Sequence, residues 1–350
     1  MRNKIMVFLR NHINFGSIVC FLTDTCTAKY TKMSKTGDYK ALFSHTRLVE
    51  LALPSGAYCA IFPDYGAIPN KLVLRTQRKH DLVDVLEGYV DEQQLNGPRK
   101  FKNVWMLPYA NRVNGGKYSF GGVDYELVPN FAPEPHAIHG FVYNKSFEVL
   151  DYQSEPLMAS VTLEYRYIGG EQGYPFPFRF RVIYTLTDNA LQMVTEIENT
   201  GTQVAPITFG WHPYFKINSE CIDDMMLRMP ACEAITIDAL KIPTGACEVY
   251  DAFLPMRSIS DIRLDTGYKL QNYLPDVDVR LELWSVTQHI GVVLGMRGFP
   301  YFQVYTPPHR QSIALEPMTS MTDAFNNGNG LVRLAPSQVL RNTMDVTVIQ

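Results

Sequence analysis

One histidine of the 350-residue chain stands inside a run of aromatics, TFGWHPYFKI (208–217), with proline directly after it. Trp211 and Tyr214 flank His212, and Phe209 and Phe215 lie just beyond. Two readings fit: a core histidine satisfied by a backbone carbonyl, or a titratable group held rigid against a hydrophobic wall for proton transfer. Glu316, in IALEPMTSMTDAFNNG (313–328), follows three apolar residues on an expected strand that Pro317 is expected to end. An acid leaving a buried strand needs a partner or carries a raised pKa, so a structural salt bridge is the alternative to a working carboxyl. Arg112, in LPYANRVNGGKYSFGGVDYEL (107–127), sits between a proline turn and a Gly-Gly turn, where a solvated charge is the plain reading. His136 and His139, in PHAIHGFVYN (135–144), have a spacing that invites a metal. No third ligand follows at a recognisable spacing, and the helix that would align such a pair is missing, so no metal is expected.

These residues need a scaffold, and the chain around them reads as strands. In FRFRVIYTLTDNALQMVTEIENTG (178–201), Phe178, Phe180, Val182, Tyr184 and Leu186 alternate with Arg179, Arg181, Ile183 and Thr185. Asp188-Asn189 supplies a turn and Leu191 restarts the alternation, which predicts a hairpin. Similar stretches are 160–170, 278–284, 290–296 and 301–307. Only HDLVDVLEGYVDEQQL (80–95) has helical spacing, at Leu82, Val85, Leu86, Tyr89 and Val90. No phosphate-binding glycine loop follows a strand, and no repeat has solenoid period. The expected fold is all-β: one large antiparallel β-sandwich over 44–350, with few short helices.

Composition narrows the function classes. Hydrophobic residues make up 46% and charged residues 19%, with a formal net charge of −3. Near-neutral charge without a long Lys/Arg run argues against nucleic acid, and no apolar run reaches the length of a membrane span. The six cysteines are scattered without a CxxC, so neither a zinc knuckle nor a disulfide framework is expected. Residues 1–43 read as an N-terminal extension. Arg2, Lys4 and Arg10, the apolar stretch 13–22 and the small residues up to Ala28 suggest a signal peptide and export. Asn14 and Gly16 interrupt that stretch, which favours Met33 as the effective start and a cytoplasmic protein.

The order Asn111-Arg112, His139-Gly140, His212-Pro-Tyr-Phe, a later aspartate and Leu315-Glu316-Pro317 resembles the aldose 1-epimerase (mutarotase) family over roughly residues 45–350. FPDYGAIPNKLVL (62–74) looks like that family's first hairpin, with Gly66 in its turn. The resemblance implies a galactose mutarotase-like sandwich whose concave face binds a sugar without cofactor or metal. It makes Glu316 the base on the C1 hydroxyl and His212 the acid on the ring oxygen. His139 then stabilises charge at the same edge, while Asn111 and Arg112 bind sugar hydroxyls. Asp265, in SDIRLDTGYKL (260–270), is the expected sugar anchor, with Asp261, Asp276 and Asp278 as rivals. Stacking on the sugar ring is a job open to Trp211, Tyr214 or Phe141. The resemblance is incomplete: the galactose-active branch has Asn and Ser where this chain has Trp211 and Pro213, and two glycines where it has Gly140-Phe141. The partner expected is a hexose, of glucose or galactose type. A sugar phosphate met by Arg310 and a non-catalytic carbohydrate binder are the alternatives.

Overall fold

The computed structural model describes residues 37–97 and 101–350. The signal peptide and the alternative start at Met33 therefore lie outside the described residues. The described residues divide into two compact units, 37–47 with 89–97 and Leu48–Gly88 with Phe101–Gln350. In the first, the described residues form two short helices, Gly37–Ala41 and Glu92–Leu95. Asp91 caps the second by accepting from the Gln94 N–H at 2.7 Å.

The second unit is the sandwich. Phe178, Phe180, Val182, Tyr184 and Leu186 are fully buried, and the residues between them are half-buried. Their strand, Phe178–Leu186, pairs with Ala190–Asn199 from Phe178↔Asn199 to Leu186↔Leu191, as the alternation predicts. This hairpin lies within a nine-stranded antiparallel sheet. A second sheet runs in the order Pro243–Tyr250, Cys232–Ile237, Asp265–Leu270, Tyr301–Tyr305, Ile313–Met318, Gly210–His212, Val104–Met106. Aromatic side chains tie the two together. Trp105 of the second sheet meets Phe180 edge-on at 6.1 Å and donates from Nε1 to the Tyr184 hydroxyl at 3.1 Å. Deleting a buried aromatic from such a layer costs about 3–5 kcal/mol.

A third sheet contains the hairpin expected around residues 62–74, formed by Tyr58–Phe62 and Ile68–Arg75. Gly66 turns at φ 72°, and a Cβ there would lie 2.8 Å from Tyr143 Cα and from the Val142 carbonyl oxygen. Only glycine fits.

The helix expected over 80–95 is not formed. Leu82–Asp84 pairs instead with Ile68–Arg75, and only Glu92–Leu95 is helical. Burial follows period two, with Val83 and Val85 inside, while Leu82 and Val90, two of the supposed apolar face, are exposed. An open sheet edge outweighed the helical spacing in a segment that β-branched Val83, Val85 and Val90 and Gly88 already weaken as a helix.

Candidate active site

The Ile313–Met318 strand is paired with the chain around His212 at Gly210↔Met318 and again at Tyr214↔Ala314. Among the described residues no pairing joins 211–213 to 315–317, so the ladder opens there for three residues. Pro213 and Pro317, which have no N–H to give, fall inside this window. The strand accordingly runs through Pro317 to Met318, where the sequence suggested that it would end. Continued across the window, the register sets His212 opposite Glu316. Their side chains meet, His212 Nε2 lying 3.4 Å from Glu316 Oε1, and both are buried. Gln303 pairs with Glu316 from the other side, and Gly267 pairs with Gln303. Cross-strand neighbours share a face, so one row across four strands carries Gly267, Gln303, Glu316 and His212.

Strand parity settles the aromatics. Trp211 precedes His212 and so points to the opposite face, where it is fully buried and stacked on Trp105 at 5.7 Å. It cannot stack on a sugar, contrary to expectation. Phe141 also packs inward, against Tyr167 at 4.9 Å. Tyr214, two residues beyond His212, lies parallel to the imidazole at 5.0 Å. Asn103, fully buried, braces the backbone on both sides: its N–H donates to the His212 carbonyl at 2.9 Å, and its Oδ1 accepts from the Tyr214 N–H at 3.1 Å. Its own carbonyl accepts from Trp211 Nε1 at 3.1 Å. His212 is thus held by its surroundings as well as by its strand.

His139 reaches the pair from a loop. Its ring meets that of His212 edge-on at 5.1 Å, and Phe101 closes on it at 4.9 Å. The next residue, Gly140, turns at φ 68° with no room for a side chain, since a Cβ would lie 1.9 Å from the Leu107 carbonyl oxygen. Asn111 accepts the His139 N–H at its carbonyl, at 3.0 Å, and Arg112 Nη1 at its side chain, at 3.1 Å. Arg112 is further fixed by Glu134, through Nε at 2.6 Å and Nη2 at 2.9 Å. A two-bonded guanidinium of this kind is rigid.

Asp265, Asn111, Arg112, Gly267 and Gln303 line one open cleft, together with Lys241. Gln303 donates to Asp265 Oδ1 at 3.0 Å, and Lys241 donates to Oδ2 at 3.0 Å. Asp265 lines this cleft, whereas its rivals Asp261 and Asp278 do not, the latter being paired with Arg297 at 2.8 Å. Gln303 and Lys241 were not among the expected residues. A glutamine between buried Phe302 and Val304 looks in sequence like an ordinary outward-facing strand residue. Arg310 is not available for a phosphate. It is buried, with Nε on Asp223 and its Nη groups on the carbonyls of Ile262 and Ser260.

Burial dominates the electrostatics. It pushes the Glu316 carboxyl well above the ordinary carboxylate range, and the negative Asp265 adds to that while Arg112 opposes it. Burial also lowers His212 to about 4, against a partial upward pull from a backbone hydrogen bond and Asp265. His139 is lowered well below its usual value by burial, then by His212 and Arg112. Among the described residues His139 Nδ1, His212 Nδ1 and Glu316 Oε2 are buried without a hydrogen-bond partner. Such atoms suit a polar ligand.

Among the described residues no group of three or more His, Cys, Asp and Glu side chains converges as metal ligands would. Cys59, Cys221, Cys232 and Cys247 are free thiols. No described helix is long and apolar enough to cross a membrane. Exhaustive chelation is expected to leave turnover unchanged, followed by polarimetry. Activity lost to chelator and restored by one added divalent ion would reverse that expectation.

The fold and the site together define a β-sandwich of the galactose mutarotase-like class, with a buried histidine–glutamate pair beside a polar cleft. The chain belongs to the aldose 1-epimerase family, whose model matches residues 48–347. It is 29% identical over 240 residues to the uncharacterized protein YihR of Escherichia coli K12, covering 65% of this chain and 73% of YihR. It is also 29% identical over 177 residues to galactose mutarotase of Bos taurus, about half of each chain (49% and 48%). Among solved structures, a galactose mutarotase-like protein of Clostridium acetobutylicum superposes with TM-score 0.74 at 17% identity, covering 87% of this chain and 98% of the other. The GalM/aldose epimerase homologue of C. elegans gives 0.73 at 19% identity, with the same coverage. Membership supports carbohydrate epimerase activity, an isomerisation.

Proposed function

We propose that this protein interconverts the α and β anomers of an unphosphorylated hexose. The observation that carries the reading is the facing pair His212 and Glu316, 3.4 Å apart and buried beside the cleft. Anomerisation removes the C1 hydroxyl proton while protonating the ring oxygen. The ring opens to the aldehyde, the C1–C2 bond rotates, and closure from the other face reverses both transfers. One base and one acid are needed at one edge of the sugar.

In this reading Glu316 takes the hydroxyl proton and His212 gives one to the ring oxygen, so the open-chain sugar sits against a protonated carboxyl and a neutral imidazole. That is the state burial favours for both groups. The dry site thereby supports the intermediate, and the reverse transfers that close the ring restore the charges. His139 supports charge at the same edge, while Asn111, Arg112, Gln303 and Asp265 hold hydroxyls. The burial of Arg310, with each of its three nitrogens bonded to a protein partner, favours a sugar without phosphate.

Polarimetry of freshly dissolved α-anomers tests the proposal, using glucose, galactose and their 6-phosphates against a blank. The expected result is faster decay of rotation with a free hexose. Sugar binding by calorimetry without any such acceleration would make the protein a carbohydrate binder.

A further inference from the structure

His136, half of the spacing that invited a metal, has a different job. It is buried, its Nδ1 accepts the Gly115 N–H at 3.0 Å, and its Nε2 donates to the Leu240 carbonyl at 3.1 Å. The two bonds together fix the tautomer with the proton on Nε2. Leu240 belongs to the turn between the Cys232–Ile237 and Pro243–Tyr250 strands. Asp238 ties that turn internally, its Oδ1 accepting from the N–H groups of Leu240 at 2.8 Å and Ile242 at 2.9 Å. At its tip Lys241 is left-handed, with φ 62°, a conformation costly for any residue with a side chain.

All of this rigidity presents one ammonium to the cleft. Lys241 Nζ donates to Asp265 Oδ2 at 3.0 Å while Gln303 Nε2 takes Oδ1 at 3.0 Å. With one donor on each oxygen the carboxylate plane is set, and the remaining lone pairs are free to accept from ligand hydroxyls. The Lys241–Asp265 pair is itself nearly half exposed, so it adds little to folding. A pinned, strained turn holding a pair that does not stabilise the fold points to the ligand.

We propose that Lys241 is a positioning residue for substrate: held by His136, it orients Asp265 to receive the sugar. The inference rests on the cleft being a sugar site. It makes Lys241 act through Asp265, and not as a direct contact for an acidic substituent. The charge balance agrees, because Arg112 is matched by Glu134 and Lys241 by Asp265, leaving no spare cation for an anionic sugar.

The test compares Lys241→Met, Lys241→Arg, Asp265→Asn and the Lys241→Met/Asp265→Asn double variant by polarimetry and by galactose and glucose affinity. Lys241→Met is expected to raise KM and Kd about tenfold, the loss of one charge-assisted contact. Its kcat and melting temperature should stay at wild-type values, with Lys241→Arg restoring affinity. In the Asp265→Asn background the lysine change should add nothing. His136→Leu, which frees the Leu240 carbonyl, should weaken affinity in the same direction. Unchanged affinity in Lys241→Met overturns the proposal. So does an undiminished effect in the Asp265→Asn background, since that makes the lysine a direct contact. Because the affinity arm needs no turnover, a wild type that binds without anomerising would refute the proposed function and leave this test intact.

Discussion

Glu316→Gln is expected to slow anomerisation by roughly 10²–10⁴-fold, the usual contribution of a positioned acid or base. Glutamine keeps the shape and can still bond to His212, but it cannot take the C1 hydroxyl proton. Sugar affinity should largely survive, so the loss falls on kcat. The same change bears on stability, with a sign the burial fixes. Folding raises the Glu316 pKa, so the folded chain holds a proton that the unfolded chain releases near the ordinary carboxylate value. As pH rises from that value to the raised one, stability is lost; below it the penalty is absent. The glutamine variant should therefore match the wild type near pH 4 and melt higher at neutral pH. Thermal unfolding at the two pH values, beside polarimetry, reads both effects. A variant that kept most of its turnover would place the base elsewhere.

The second large effect concerns pH. The pair works with one proton between its two members, whichever carries it, so activity should be bell-shaped: lost in acid when a second proton binds and in alkali when the last one leaves. The resemblance alone would put Glu316 on the acid limb and His212 on the alkaline limb. The burial seen here exchanges them in the free enzyme, with His212 lowered to about 4 and Glu316 raised. The limbs belong to the coupled pair, and variants are needed to assign them. His212→Gln should lose the alkaline limb of kcat/KM, keep an acid limb set by ionisation of the base Glu316, and run roughly 10²–10⁴-fold slower. If both limbs persisted, His139 would become the candidate acid.

The sandwich was legible because two-residue alternation is a local property of strands such as Phe178–Leu186. His212 and Glu316 were legible as candidates because each breaks its surroundings, a base among aromatics and an acid after apolar residues; Arg112, His139 and Asp265 read locally as ordinary loop and turn residues and stood out only through the family resemblance. Parity along the strand by itself sets Trp211 on the face opposite the His212 ring. Gln303, Asn103 and Lys241 were hidden for another reason. Each matters only through a partner distant in sequence, Glu316, Tyr214 and Asp265 respectively, and no local pattern marks such a residue. The segment 80–95 misled because its helical spacing was real while the decisive factor, a free edge on Ile68–Arg75, lay elsewhere in the chain.

The indole stack beneath the acid–base pair gives the molecule an optical property. Two of its three tryptophans, Trp105 and Trp211, are fully enclosed and stacked at 5.7 Å, while Trp284 lies in another sheet and is partly open. Emission from the enclosed pair comes from the floor on which His212 stands, bonded through Trp211 to the Asn103 that braces it. A quencher dissolved in water reaches Trp284 and is shut out from the other two. The unquenched fraction of the protein's fluorescence is thus a direct reading of whether that floor is closed, obtainable without a label and without a substrate.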